Sequence, residues 1–423
     1  MRILVISNFL PPRMMGGFEL ACYNISKGLR ARGHEVLILT TPTEKELPEP
    51  QPFVDRSLAM SWFPTVPIKS PTIRRFFRHE ALVSQQSNSQ IVLSRIRSFR
   101  PDHILMFNLV GIGGLGIVDL IESTGIPWTM NLGDRVPTAL VEDVPAPIRA
   151  IYGADDSGNL FGRGRYAAVS QTLVDEIERE GISIGDDVTI IPRGVVIADV
   201  PRTRPYQENG VTRFVSAGIL RPHKGIDLIL EAVKVVDDRD EFDFFVDIYG
   251  GGPREKYEAV AEQLGIMHRV TFHGPVTQRE VIEANAGADA FLFPTWNREP
   301  GASAPVEAGV AGAVPIMTGD CGPAERMVDG VHCIKIERSV SSLASAMSAV
   351  GRGEVDLEAI GRAGRRLAAG DLSFPVSIRR LEGVLERGGV ADYTNIEDRQ
   401  LDRDLVAKDE QATGLLYNEL GRR

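Results

Sequence analysis

Short, unbroken apolar runs alternate with helical periodicities along most of this chain, and no other feature limits its fold as much. Arg2–Ser7 is read as a strand, its Ile3–Ile6 run continuously apolar rather than alternating, as burial on both faces requires. A loop with Pro11, Pro12, Gly16 and Gly17 follows, and Phe18, Ala21, Cys22, Ile25 and Leu29 then recur at helical spacing. Gly33 closes that helix, and a second strand is expected at Glu35–Thr40. Strand, loop, helix and strand in this order make a Rossmann-type unit. Further strands are expected at His103–Phe107, Trp128–Leu132, Tyr166–Val169 and Val188–Ile191. The pattern restarts near 213, with a strand at Arg213–Ala217, a turn at Lys224-Gly225 and a helix over Ile226–Val236. Strands at Phe244–Tyr249, Val270–His273, Ala290–Phe293 and Val314–Met317 complete it. Pro201, Pro205, Asn209 and Gly210 cluster between the two patterns, so a linker is expected over Ile197–Val211.

The 423 residues suffice for two or three domains with substantial cores. A net charge of −10 argues against a general nucleic-acid binder. No apolar stretch reaches the ~20 residues of a membrane span, and MRILVISNF lacks the layout of a secretory leader. Cys22, Cys321 and Cys333 are odd in number and without C-x-x-C spacing, which fits reduced core thiols in a cytoplasmic protein. The seven His are scattered without an H-x-x-x-H pair, so no metal site is expected.

Three regions are less regular. Residues 42–72 are Pro-rich with little periodicity and are expected to be an irregular excursion. Residues 69–100 hold Lys69, Arg74, Arg75, Arg78, Arg95, Arg97 and Arg100 against Glu80 alone. That local excess is either a solvated helix face or a site for an anionic acceptor or a membrane surface. Residues 390–423 carry eight acids and five bases and form either a docked helix or a partly disordered tail.

The chemistry concentrates in Glu299–Gly312, EPGASAPVEAGVAG, directly after the strand ADAFLFP. A helix is expected to start near Ser303, its free N–H groups forming an anion site at the carboxyl end of a parallel strand. Glu299 then lies on the loop and Glu307 about one turn into the helix, both on one crevice. A carboxylate accepts two hydroxyls at once, so each suits a vicinal diol.

Glu, seven residues, Glu, then small residues and a strand resembles the retaining nucleotide-sugar glycosyltransferases of family 4, which have the GT-B fold. RILVISNFLPPRMMGGFEL resembles that family's first strand and glycine-rich loop. RGHEV, IPWTMNLGD, AAVSQTLVDEI, IIPRGVV, GILRPHKGIDLILEA, DIYGGGPREKY, VTFHGPV and CGPAERMVDG follow in the expected order, so the resemblance covers about 1–370. It implies an α/β protein of two Rossmann-like domains whose parallel sheets face a central cleft. An N-terminal acceptor domain would span 1–200, a nucleotide-sugar domain 201–374, and 375–423 would pack back on the first. It implies no cofactor or metal, a nucleoside-diphosphate sugar as donor and a small natural product or glycan as acceptor. It assigns Glu307 to the ribose, Glu299 to donor-sugar hydroxyls and Lys224 to the diphosphate, with Gly301, Ala302, Ser303 and Ala304 offering backbone N–H groups. Gly16 and Gly17 would face the donor from the other domain, Gly218 and Gly250 would line the phosphate side, and Val276 would lie near the base.

This sequence departs from the family at three places. Ile219 follows Gly218 where an arginine is usual, leaving Arg221 as the replacement. Gly301-Ala302 replaces Phe-Gly, which is expected to leave more room at the sugar. Gly133-Asp134 stands where a His often precedes the Asp, so Asp134 faces either a different donor or the acceptor. Taken singly, each feature has an ordinary structural reading: a turn, a helix start, solvated helix-end carboxylates. Asp238-Arg239-Asp240 has the spacing of a metal-binding DxD but falls in a charged run after a helix. The alternatives on the same architecture are a nucleotide-sugar 2-epimerase or phosphorylase, and a non-catalytic nucleotide-sugar-binding protein.

Overall fold

Two parallel sheets carry the chain. The computed structural model describes residues 1–47, 50–61, 70–155, 158–196, 202–389, 391–393, 396 and 399–421. The first sheet holds β1 (Arg2–Ile6), β2 (Glu35–Leu39), β3 (Val54–Asp55), β4 (His103–Met106), β5 (Trp128–Leu132), β6 (Arg165–Ala168) and β7 (Val188–Ile190). Their order is β3-β2-β1-β4-β5-β6-β7, with every neighbouring pair parallel. The second holds β8 (Val211–Ala217), β9 (Asp243–Tyr249), β10 (Val270–Gly274), β11 (Ala290–Phe293), β12 (Val314–Thr318) and β13 (Ile334–Ile336). Their order is β10-β9-β8-β11-β12-β13, again all parallel.

The chain forms two compact units. The first comprises Met1–Ala168, Leu173–Ile191 and Ile378–Arg423, and the second Val169–Thr172 and Pro192–Ser377. Residues 197–201 of the expected linker, with the expected boundary at 200/201, lie outside the described residues, as does Lys69.

The apolar runs are continuous because helices cover both faces. In β1, Ile3, Leu4, Val5 and Ile6 are all fully buried. In the second unit the strand residues divide by parity. Ala290 and Leu292 of β11 pack with Phe214, Ile248, Leu230 and Val233 on one face, while Phe291 and Phe293 pack with Val215, Val306 and Val310 on the other.

The region 42–72 is not wholly irregular. It contributes β3 as an edge strand, with Ile38 N–H donating to Phe53 O at 2.8 Å and Thr40 N–H to Asp55 O at 2.8 Å. Two residues are too few for a periodicity, which is why the strand left no trace in the sequence. The basic stretch forms two helices, Pro71–Leu82 and Gln86–Phe99. Much of its charge is matched within the first unit: Arg78 pairs with Asp143 at 2.5 Å, Arg95 with Asp55, and Arg97 with Asp402 at 2.8 Å. The terminal helix Arg399–Gly421 is fastened to the same unit by that last pair and by Lys408 on Asp119 at 2.7 Å. Among the described residues no helix is long and apolar enough to cross a membrane. The three cysteines are buried and unpaired, and burial raises the thiol of Cys321 to about 11 and that of Cys333 to about 12.

His103 opens β4 fully buried, with Nε2 at 2.9 Å from Thr129 Oγ1. Burial, aided by the Arg165 charge, lowers its imidazole to about 3. The folded state therefore holds it neutral, whereas the unfolded chain takes up a proton near pH 6.5. Its contribution is fully present above 6.5 and is lost as pH falls towards 3, by about 1.4 kcal/mol per pH unit. The wild-type unfolding midpoint should thus fall more steeply than that of His103→Asn between pH 6.5 and 4.5. Parallel curves for the two proteins would refute this assignment.

Candidate active site

The order of the second sheet reverses between β8 and β11, which pair directly through Ala290↔Phe214 and Phe291↔Val215. Loops leaving the carboxyl ends of two such strands diverge, and a crevice opens between them. One loop runs from Gly218 to a single 3-10 turn, Pro222–Lys224, and through Gly225 at φ 77° into the helix Ile226–Arg239. The other runs from Pro294 to Ser303, the N-cap of the helix Ala304–Ala311. The two are locked together. A Cβ on Gly225 would fall on the Pro294 carbonyl, and Trp296 N–H donates to His223 O at 3.0 Å.

This crevice holds both carboxylates, and neither is a solvated helix-end charge. Glu299 is 7% exposed and Glu307 9%. Lys224 Nζ donates to Glu299 Oε2, and Gln278 Nε2 donates to Glu307 Oε1 at 2.7 Å. The cation expected on a diphosphate thus rests on the carboxylate expected at the sugar. The following helix begins as expected, with one correction. Pro305 has no N–H, so its first turn offers Ala304 and Val306 together with Gly301, Ala302 and Ser303 of the loop. Among the described residues these N–H groups have no acceptor.

The structure also brings Gly218 and Gly250 together. Gly218 N–H donates to Tyr249 O at 3.0 Å, and a Cβ on Gly250 would fall on the Gly218 carbonyl. Val276 is half-buried between β10 and the helix Gln278–Ala286, two positions before the glutamine that holds Glu307. Ile219 and Arg221 are both exposed, and Arg221 has no side-chain hydrogen bond among the described residues. The expected extra room at Gly301 is not there: a Cβ would sit 2.8 Å from Val169 Cγ2, so Val169 fills the space that a larger residue would take. Asp238 and Asp240 lie at the exposed end of the helix Ile226–Arg239, with Asp238 paired to Lys234.

Gly16, Gly17 and Asp134 belong to the first unit. Its sheet order reverses between β1 and β4, and Gly16 and Gly17 end the loop that leaves β1. Gly16 is the N-cap of the helix Gly17–Ala31, and its N–H donates to Glu19 Oε2 at 3.0 Å. Asp134 is exposed just beyond β5 and accepts from Arg135 N–H at 2.8 Å. The glycine before it has a steric cause. A Cβ on Gly133 would sit 2.6 Å from the ring of Phe18, which leaves no room for an imidazole.

Two features carry no local signal in the sequence or were passed over there. Gln278 gives none, because an exposed glutamine in the first turn of a helix is commonplace. His223 packs tilted against Trp296, ring centroids 4.8 Å apart with 38° between the planes, and the Arg298 guanidinium lies over the same indole at 5.6 Å. Burial, together with the Lys224 and Arg221 charges, holds the His223 imidazole below its ordinary value against the opposing pull of Glu299. Among the described residues no group of three or more His, Cys, Asp or Glu is placed to hold a metal ion.

Residues 15–199 match Glycosyltransferase Family 4 and residues 205–367 match Glycosyl transferases group 1. The chain belongs to the family 4 glycosyltransferases of GT-B fold, and it is a transferase. The D-inositol 3-phosphate glycosyltransferase of Corynebacterium glutamicum is 31% identical over 167 residues, 35% of this chain and 39% of that enzyme. The lipopolysaccharide glucosyltransferase WaaG of Escherichia coli is 22% identical over 329 residues, 74% of this chain and 80% of WaaG. The solved structure of HepE from Anabaena in complex with UDP-glucose superposes with a TM-score of 0.62 at 16% identity, over 92% of this chain and 100% of HepE.

Gly133→Ala should lower the unfolding midpoint, by about 1–3 kcal/mol of overpacking, and Gly133→His by more. Adding Phe18→Ala should recover part of the loss. A Gly133→His protein as stable as wild type would show that the ring does not bar the position.

Proposed function

We propose that this enzyme transfers a sugar from a nucleoside-diphosphate sugar to an acceptor hydroxyl, with retention at the anomeric carbon and without a metal ion. One observation carries the reading: at the β8/β11 reversal, Lys224 and two buried carboxylates meet a helix start with open N–H groups. Lys224, Arg221 and those N–H groups would stabilise charge growing on the leaving diphosphate. A cation ~4 Å from a phosphate contributes ~4 kcal/mol at an effective dielectric of 20, before desolvation. Glu307 would hold the ribose and Glu299 the sugar. The bond from the anomeric carbon to the diphosphate breaks, a bond to the acceptor oxygen forms on the same face, and the acceptor proton passes to the leaving phosphate. Retention rests on family membership alone. The name of the glucosyltransferase relative WaaG and the UDP-glucose in HepE support a hexose donor with UDP as the first carrier to test. The acceptor is a glycan or small natural product, and three buried thiols fit use in the cytoplasm.

His223 is the one observation favouring a 2-epimerase, because a neutral imidazole beside Lys224 is able to accept a proton. Incubating the donor without acceptor separates the readings: an epimerase returns an isomeric nucleotide sugar, a transferase returns donor or slow hydrolysis products.

A panel of nucleotide sugars and nucleoside diphosphates, ranked by thermal shift, tests the donor site, since a ligand at 100 times its Kd stabilises by about 2.7 kcal/mol. No stabilisation by any of them would sink the proposal. Activity should survive EDTA, and complete loss restored by magnesium or manganese would refute metal independence. Glu307→Ala should weaken nucleoside-diphosphate binding by about 10–100-fold in calorimetry. Arg221→Ala should lower kcat by about 100-fold and Arg221→Lys by less, because the charge survives without the planar fork. A change below about threefold in Arg221→Ala would mark Arg221 as an ordinary surface arginine.

A further inference from the structure

The Lys224–Glu299 ion pair joins the two groups that the proposed function assigns to opposite halves of the donor. Among the described residues, Lys224 is the one side-chain donor to the Glu299 carboxylate, and Glu299 the one acceptor for Lys224. Glu299 is buried and Lys224 half-buried. Breaking such a pair is costly unless new partners arrive, because a buried carboxylate without a donor has lost its hydration as well as its cation.

We propose that this pair makes the site sense whether a nucleotide still carries its sugar. The inference rests on the reading of Lys224 as a diphosphate ligand and Glu299 as a sugar ligand. An arriving diphosphate draws Lys224 off Glu299. An intact donor also brings hydroxyls that donate to Glu299, so both charges end paired. A spent nucleoside diphosphate brings no such hydroxyl, and Glu299 then competes with it for Lys224. Glu299 therefore supports donor binding and opposes product binding. Once the sugar has moved to the acceptor, Glu299 reclaims Lys224 and loosens the diphosphate. Glu307 has no such effect, since its partner is the neutral amide of Gln278 rather than a cation.

Calorimetry with UDP, ADP and GDP and with their glucose conjugates tests this on wild type, Glu299→Gln and Glu307→Gln. Glu299→Gln keeps the side-chain size but removes the competitor. It should bind the preferred diphosphate about tenfold more tightly than wild type and its glucose conjugate no more tightly. Glu307→Gln should bind the diphosphate no more tightly than wild type. Thermal unfolding of each variant without ligand establishes that it is folded. Diphosphate binding to Glu299→Gln but not measurably to wild type is the strong form of the same result. Diphosphate affinity in Glu299→Gln within threefold of wild type, or weaker, overturns the inference and leaves the donor reading standing. If none of the six compounds binds wild type or Glu299→Gln, both fall.

Discussion

Parallel strand pairing is the constraint from which the rest follows. It leaves no room for hairpins, so most strands return through a helix, β2 to β3 and β12 to β13 being the exceptions, and the helices cover both faces of both sheets. Residues of either parity in a strand then meet apolar neighbours, as the division of β11 between two core faces shows. Parallel pairing also collects every strand's carboxyl end on one edge of its sheet. Where the order reverses, at β8/β11, two loops part and expose the start of a helix between them. The candidate site is a consequence of topology before any side chain is considered.

Side chains then decide what the crevice does, and they do so largely by being absent. Gly250 against the Gly218 carbonyl and Gly225 against the Pro294 carbonyl let neighbouring loops touch backbone to backbone. Glu299 and Glu307 lie buried in the crevice these loops form, and each has a side-chain partner from another element. The same device in the first unit has a different effect. There the Phe18 ring fills the space beside Gly133, so a side chain before Asp134 would have to displace that ring.

Elements buried on both faces were legible in the sequence, because a short, continuous apolar run bounded by turn residues fits little except a fully covered strand. Trp128–Leu132 and Ala290–Phe293 agree to the residue, and the other expected strands to within one or two. β3 and β13 were not legible, being two and three residues long and only partly buried. The spacing from Glu299 to Glu307 was legible because it lies within one loop and helix. The partners of these two residues were not. Gln278 and Lys224 reach them from other crossovers, and no local pattern encodes which loops a sheet will bring side by side. The room expected at Gly301 failed for a related reason: the sequence shows that a side chain is missing, but not that Val169 occupies its place.

The two carboxylates illustrate how one motif supports two behaviours. Both are buried, and both sit near one helix start. Glu307 rests on an amide, which satisfies an oxygen without cancelling its charge. Among the described residues its second oxygen accepts no hydrogen bond. Glu299 rests on an ammonium, and the pair is nearly neutral as a whole. A ligand that meets Glu307 adds to an existing arrangement, whereas one that meets Glu299 must replace a partner. The first kind of contact favours binding that is insensitive to what else the ligand carries. The second would make binding depend on whether cation and carboxylate are both satisfied at once, which suits a ligand with an anion at one end and hydrogen-bond donors at the other.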